Sequence, residues 1–123
     1  MNLELTGQRV LITGGSKGIG LAIAQAFAAE GAKPVLVSRE RANLTHAVQA
    51  IEAAHHITPE VFEADLSLPG SADKLCQQVG EIDVLVNNAG AIPGGSIHDI
   101  TEERWRQAWE LKLYSYINLT RAY

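Results

Sequence analysis

The sequence has little of what secreted and membrane-bound proteins usually carry. A single cysteine, Cys76, excludes a disulfide within the chain. No apolar run approaches the roughly 20 residues that a membrane-spanning helix needs. Residues 1–5 have neither a basic start nor a long apolar segment, so they do not form a secretory signal, and we expect them to be the genuine N-terminus. These absences predict a cytoplasmic protein.

Concentrated positive charge and clustered metal ligands are also missing. The formal net charge is -4 and no basic patch occurs, which disfavours nucleic acid as a partner. His55, His56 and His98 stand apart from other ligand types, so we expect no metal site. A hydrophobic fraction of 46% over 123 residues suits one compact domain with a core, and we predict a single domain over residues 1–123.

The stretch at 13–20, Thr-Gly-Gly-Ser-Lys-Gly-Ile-Gly, lies between an apolar run at 10–12 and an alanine-rich helical pattern at 21–29. Glycine allows the backbone to approach a ligand closely, and a helix N-terminus attracts anions, so strand, glycine loop and helix in this order favour phosphate binding. This stretch is not a Walker-type phosphate-binding loop, which ends in Gly-Lys-Ser/Thr. Here Lys17 precedes Gly18, and no hydroxyl residue follows to hold magnesium. A plain turn is the alternative.

Apolar strand patterns alternate with helical ones along the rest of the chain. We predict further strands at 32–37, 59–62 and 82–86, and helices at 21–29, 40–54, 67–80 and 101–123. We expect Ser67 to cap the third helix and Thr101 the fourth, and Ile19, Ile23 and Phe27 to form the apolar side of the first. On the last helix, Trp105 and Trp109 are expected in a core or an interface. This alternation predicts an α/β fold with a parallel sheet covered on both faces.

Four of these segments should meet at one edge of the sheet. Ligands of parallel α/β sheets bind beyond the carboxyl ends of the strands, where the strand order reverses. That rule brings Gly14, Arg39, Asp65 and Asn88 around one crevice. Two alternatives stay open, because an isolated aspartate such as Asp65 often caps or turns a chain, and residues 87–90 could form an ordinary turn.

The motifs Thr13-Gly14-x-x-x-Gly18-x-Gly20, Asp65-Leu66 and Asn87-Asn88-Ala89-Gly90 resemble those of the short-chain dehydrogenases/reductases, and the resemblance covers the whole chain. It implies a Rossmann-like, doubly wound parallel sheet and hydride transfer between a nicotinamide dinucleotide and a carbonyl or alcohol. By this resemblance, the residues that surround the pyrophosphate and the nearby ribose would be Gly14, Ser16, Gly18, Ile19 and Gly20. Asp65 and Leu66 would meet the adenine, and Asn88, Ala89 and Gly90 would line the adenosine ribose and the nicotinamide side. Asn87 would pin neighbouring backbone.

The chain departs from the family in its catalytic residues. Members usually run to about twice this length and carry a serine and a Tyr-x-x-x-Lys motif. No tyrosine here has a lysine four residues later, and Lys112 stands where the family has an asparagine. We therefore assign no catalytic residue and interpret the chain as a cofactor-binding half, truncated before the catalytic half and inactive alone. Complete members commonly form homo-oligomers. The alternative is a non-catalytic nucleotide-binding or interaction module.

The choice of cofactor depends on the end of the second strand. NAD specificity normally uses an acidic residue there to bind the ribose hydroxyls. Ser38 occupies that place, Arg39 follows it, and Lys17 adds a second positive charge from the glycine loop. Two cations favour NADP over NAD, because both can bind a 2′-phosphate. Alternatively both are solvated surface charges and Glu40 binds the ribose, although we expect Glu40 in the first turn of the second helix.

Overall fold

The computed structural model describes residues 2–123 and contains four strands alternating with helices. In chain order the elements are β1 (Arg9–Thr13), α1 (Gly18–Ala29), β2 (Lys33–Ser38), α2 (Arg41–His55), β3 (Glu60–Glu63), α3 (Ser71–Val79), β4 (Val84–Val86), α4 (Glu102–Trp109), a π-helical segment (Glu110–Tyr114) and α5 (Ser115–Ala122). The predicted strands and the first three predicted helices are therefore present, with ends that differ by a few residues, whereas the predicted helix at 101–123 consists of three segments.

All the strands run parallel in the order β3-β2-β1-β4. Ile12 of the central strand lies between Leu36 of β2 and Val86 of β4. From β1 the chain first moves outward through β2 and β3, and then returns to the opposite side with β4. The strand order thus reverses at β1, which ends in the glycine loop, so the expected ligand crevice lies beside that loop.

The sheet is buried on both faces because successive strand residues point to opposite sides. Val10, Ile12 and Leu36 pack against α1 and α2. Leu11, Val35 and Val37 pack against α3 and α5. The chain is therefore a doubly wound, Rossmann-like α/β fold, as predicted.

The buried face of α1 differs from the predicted one. Its buried residues are the small Gly20, Ala24 and Ala28, and their size lets the helix backbone lie close to the sheet. Ile23 and Phe27 pack only at the border of the core, and Ile19 is 74% exposed. The predicted apolar side of the first helix, with Ile19, Ile23 and Phe27, is therefore not its buried side, because hydropathy ranks these residues above the small ones that close packing requires.

The start of α3 is also corrected. The helix begins at Ser71, with Gly70 in a left-handed conformation before it, so Ser67 is not its cap. The backbone N–H and the hydroxyl of Ser67 both donate to Asp65 Oδ1, at 3.0 and 2.6 Å. Ser67 belongs to a turn that follows β3.

The predicted long helix is interrupted. Thr101 caps it as expected, since its hydroxyl oxygen accepts from the N–H of Arg104 at 3.3 Å. A π-helical segment, whose turn is wider than that of an α-helix, then follows α4 and separates it from α5. The residues buried along this region are Ala108, Ser115 and Leu119.

An exposed apolar stripe on α4 to α5 consists of Trp105, Trp109, Leu113 and Ile117, which are between 38% and 53% exposed. The tryptophans are therefore not core residues of this chain, and an interface remains the prediction for them. Contiguous exposed apolar patches of this kind mark contact surfaces.

We predict that the 123-residue chain self-associates through this stripe, because β4 is an edge strand and association would remove the apolar side chains from water. The weight-average mass in sedimentation should rise with concentration, and the double variant W109E/I117E should remain monomeric. L68E, which changes an exposed leucine outside the stripe, is the control. A monomeric parent over the whole concentration range would contradict the prediction.

Candidate functional site

The crevice beyond the carboxyl ends of β1, β2 and β4 has a volume of about 440 Å³. The predicted residues that line it are Gly14, Ser16, Lys17, Ile19, Gly20, Ser38, Arg39, Leu66, Asn88, Ala89 and Gly90. Residues not assigned from the sequence join them, among them Asn43, Ala91, Ile92, Leu111 and Lys112. The structure thus brings the glycine loop and the ends of the flanking strands together, while the binding role of each residue remains a prediction.

The glycine loop places an uncapped helix N-terminus at this crevice. Gly14 has a φ of +65°, a left-handed conformation that favours glycine. A Cβ on Gly20 would lie only 2.0 Å from the carbonyl oxygen of Gly14, so the loop needs glycine there to close against α1. No side chain caps α1, and its first turn contains no acidic residue. The free N–H groups and the positive end of the helix dipole are therefore available to an anion.

Thr13 joins the end of β1 to the segment after β4. Its buried hydroxyl oxygen accepts from the backbone N–H groups of Asn88 and Ala89, each at 3.0 Å. The same hydroxyl donates to the carbonyl oxygen of Val86 at 3.4 Å. Sequence reasoning missed this role, although a hydroxyl residue directly after the apolar run at 10–12 was an available signal.

The side chain of Asn88 braces the glycine loop. Its amide nitrogen donates to the carbonyl oxygens of Thr13, at 3.1 Å, and Gly14, at 3.3 Å. Asn87 points elsewhere, because its amide donates to the hydroxyl of Thr120 at 3.2 Å instead of pinning neighbouring backbone as predicted. Its Oδ1 is buried and has no hydrogen-bond partner in the described part of the chain. The segment after β4 is thus an ordered part of the crevice and not a free turn.

Tyr116 of α5 holds the same segment from the other side. Its hydroxyl donates to the carbonyl oxygen of Ala89 at 2.8 Å. Burial raises the pKa of Tyr116, so the phenol keeps its proton and remains a donor. Sequence reasoning did not assign Tyr116 to this crevice.

The end of β2 forms the other side of the crevice. The hydroxyl of Ser16 donates to that of Ser38 at 3.1 Å, which connects the glycine loop to β2. Arg39 is exposed, and Glu40 precedes α2 instead of lying in its first turn. The carboxylate of Glu40 accepts from the side-chain amide of Asn43 at 3.0 Å. Glu40 is therefore an acidic side chain near Lys17 and Arg39 at the crevice, whereas the sequence had predicted it in the first turn of the second helix.

Two predicted site residues do not line the crevice. Gly18 has a φ of +56° and lies between Lys17 and Ile19, which do line it. Asp65 faces a separate cavity near the start of α3, and its carboxylate is occupied by Ser67. This geometry favours the turn alternative for Asp65, and its contact with adenine remains a prediction.

Within residues 2–123, no group of three His, Cys, Asp or Glu side chains is arranged to hold a metal ion. Nor does any helix in that range combine the length and the apolar character that crossing a membrane requires.

Comparison with known proteins identifies the family. The family model described as short chain dehydrogenase matches residues 8–123, and the chain therefore belongs to the short-chain dehydrogenase family. It is 38% identical to galactitol 2-dehydrogenase of Agrobacterium fabrum, over 90% of this chain and 43% of that protein. It is 33% identical to human L-xylulose reductase, over 98% of this chain and 48% of that protein. The chain spans about half the length of the curated relatives it matches.

Solved structures agree with this assignment. An L-sorbose reductase from Gluconobacter frateurii, complexed with NADPH and L-sorbose, is 34% identical and superposes with a TM-score of 0.87. The superposition covers 99% of this chain and 48% of that one. The chain is therefore an oxidoreductase-family Rossmann unit.

We predict that T13V destabilises the protein by roughly 2–3 kcal/mol, because the change leaves the N–H groups of Asn88 and Ala89 without their acceptor. Chemical denaturation measures this loss. T13S, which keeps the hydroxyl, should recover most of it. T45V removes an exposed threonine hydroxyl on α2 and should change stability by less than about 0.5 kcal/mol. Equal effects of T13V and T45V would show that Thr13 does not hold the crevice together.

Proposed function

We propose that this chain forms the cofactor-binding half of an NADP-dependent oxidoreductase that transfers hydride between NADP(H) and a small carbonyl or alcohol substrate. The observation that carries the proposal is the crevice at β1, where the uncapped N-terminus of α1 faces the ends of β2 and β4. The family membership supports the reaction type. Relatives named as reductases or dehydrogenases of sugars and polyols support a small hydroxylated substrate.

The sheet suggests how a dinucleotide would lie in this crevice. Its pyrophosphate would bind the free N–H groups of the first turn of α1, next to Gly14 and Ser16. Its adenosine half would extend toward Ser38 and Arg39, since the ribose of such cofactors is bound at the end of the second strand. The other half would extend over Asn88 to Gly90. When bound, the nicotinamide supplies or accepts the hydride.

Discrimination between NADP and NAD would come from Lys17 and Arg39. Both line the crevice, and both side chains are exposed, so that they could meet a 2′-phosphate of an adenosine half bound at the end of β2. The guanidinium of Arg39 can bind phosphate in a bidentate manner. Glu40 is the nearby acid that could bind the ribose hydroxyls of NAD, but its carboxylate already accepts from Asn43. The balance of charge therefore favours NADP, and the complex of a related reductase with NADPH agrees with it.

We further propose that the protein is cytoplasmic and forms a homo-oligomer. A cytoplasmic location is consistent with the single cysteine of the sequence, Cys76, which is free in the structure. A homo-oligomer is supported by the exposed apolar stripe.

A non-catalytic nucleotide-binding or interaction module is the competing function. It is favoured by one observation: no tyrosine of the chain has a lysine four residues later. The coding sequence beyond the codon for Tyr123 discriminates between the two. A serine and a Tyr-x-x-x-Lys motif there would support the enzyme, and an immediate stop codon would support the module.

We predict that R39D weakens NADPH binding by about 2 kcal/mol, or about thirtyfold, because a charge-assisted pair is lost and repulsion from the 2′-phosphate is added. Titrations with NADPH and NADH measure both affinities, and NADH should change much less. R121D makes the same charge change on α5, outside the crevice, and is the control. Equal affinities for the two dinucleotides in the parent and in R39D would mean that Lys17 and Arg39 do not bind the phosphate.

We also predict that the 123-residue chain alone does not turn over carbonyl substrates, because general acid catalysis needs a positioned proton donor of suitable pKa. The absorbance of NADPH at 340 nm should stay constant when a simple ketone is added. A rate that scales with the amount of purified chain and depends on the ketone would refute this expectation.

A further inference from the structure

The side chain of Lys112 lies against Gly90, which also lines the crevice. Lys112 lies in the π-helical segment and lines the crevice. A Cβ built on Gly90 would lie 3.0 Å from Cδ and 3.5 Å from Nζ of Lys112. The lysine therefore extends along the open face of Gly90 instead of pointing away from the crevice, and it occupies space that a side chain at residue 90 would need.

The ammonium group has no protein partner there. The ion pairs found among residues 2–123 involve Arg9, Arg41 and Arg106, and none involves Lys112. Lys112 makes no hydrogen bond to a described residue either, although its ammonium has three donors. Its charge and its donors are thus free to meet a ligand in the crevice.

Lys112 and Arg39 lie on opposite sides of the glycine loop. Arg39 follows β2, whereas Gly90 and Lys112 lie on the β4 side, and β1 separates the two. Neighbouring strands are about 4.8 Å apart, so the two sides are separated by about 10 Å. A dinucleotide with its pyrophosphate at α1 and its adenosine half toward Arg39 must direct its other nucleotide half toward Lys112.

We propose that Lys112 binds the nicotinamide half of the dinucleotide directly, through its phosphate or its ribose hydroxyls. This inference rests on the proposed function. Lys17 and Arg39 then bind one end of the cofactor and Lys112 the other.

The test measures binding of a series of nucleotides to the full chain by calorimetric titration or by competition. The series is 2′,5′-ADP, 2′-phospho-ADP, 2′-phospho-ADP-ribose and NADPH, which adds first the second phosphate, then the second ribose, and finally the nicotinamide. K112M should weaken NADPH about tenfold or more, the effect of one lost charge-assisted hydrogen bond. It should leave 2′,5′-ADP within about twofold.

Two further variants serve as controls. K112R keeps the charge and the donors, so it should restore most of the affinity for NADPH. K33M removes an exposed lysine at the amino end of β2, opposite the crevice, and should change no member of the series. The first nucleotide that K112M weakens identifies the bound group, since 2′-phospho-ADP carries the phosphate without the ribose.

Three outcomes would overturn the inference. An unchanged affinity for NADPH in K112M would show that the ammonium does not bind the cofactor. An equal loss for 2′,5′-ADP and NADPH would show that Lys112 only supports the fold of the crevice. In both cases binding by the parent would leave the proposed function standing, whereas a parent that binds no member of the series would refute the inference and the proposed function together.

Discussion

The hydroxyl of Thr13 fixes the distance between the ends of β1 and β4, and the crevice depends on that distance. One oxygen accepts from two consecutive N–H groups while it donates to a third backbone group. When such an acceptor is removed at a buried position, the N–H groups left without a partner lower the free energy of unfolding by more than the net contribution of the hydrogen bonds themselves. Asn88 repeats the connection from the other strand through the carbonyl oxygens of Thr13 and Gly14. The glycine loop is therefore held on the side of β4 by the side chains of Thr13 and Asn88.

The same arrangement explains why the crevice needs small residues. Gly14 lies against Asn88 and Ala89, where an added Cβ would be 3.0 Å from Ala89 Cα. Gly20 lies against the carbonyl group of Gly14, and Ala24 and Ala28 continue the close contact of α1 with the sheet. Because this helix approaches the sheet so closely, its N-terminus reaches the strand ends. The small residues that let α1 pack closely on the sheet therefore also determine where its free N–H groups lie.

The sequence predicted the features that repeat locally. Alternating apolar patterns gave the strands and helices, and the glycine and asparagine motifs gave the edge where the ligand would bind. Hydropathy could not predict that Gly20 and Ala24 would be buried while Ile19 remained exposed, because close backbone packing overrides hydrophobicity there. A template of 3.6 residues per turn could not reveal the π-helical segment. The pairing of Lys112 with Gly90 was missed because 22 positions separate them in the sequence.

The distribution of charge has a consequence for kinetics. The chain as a whole is acidic, with a formal net charge of -4, yet Lys17, Arg39 and Lys112 all face one crevice in which Glu40 is the acid. An anionic ligand is repelled by the net negative charge of the chain and attracted by the three cations at this opening, so the electric field guides its approach. At physiological ionic strength the field is screened over about 8 Å, and added salt shortens that range. Salt should therefore slow the encounter with a charged nucleotide much more than its departure, which short contacts inside the crevice control.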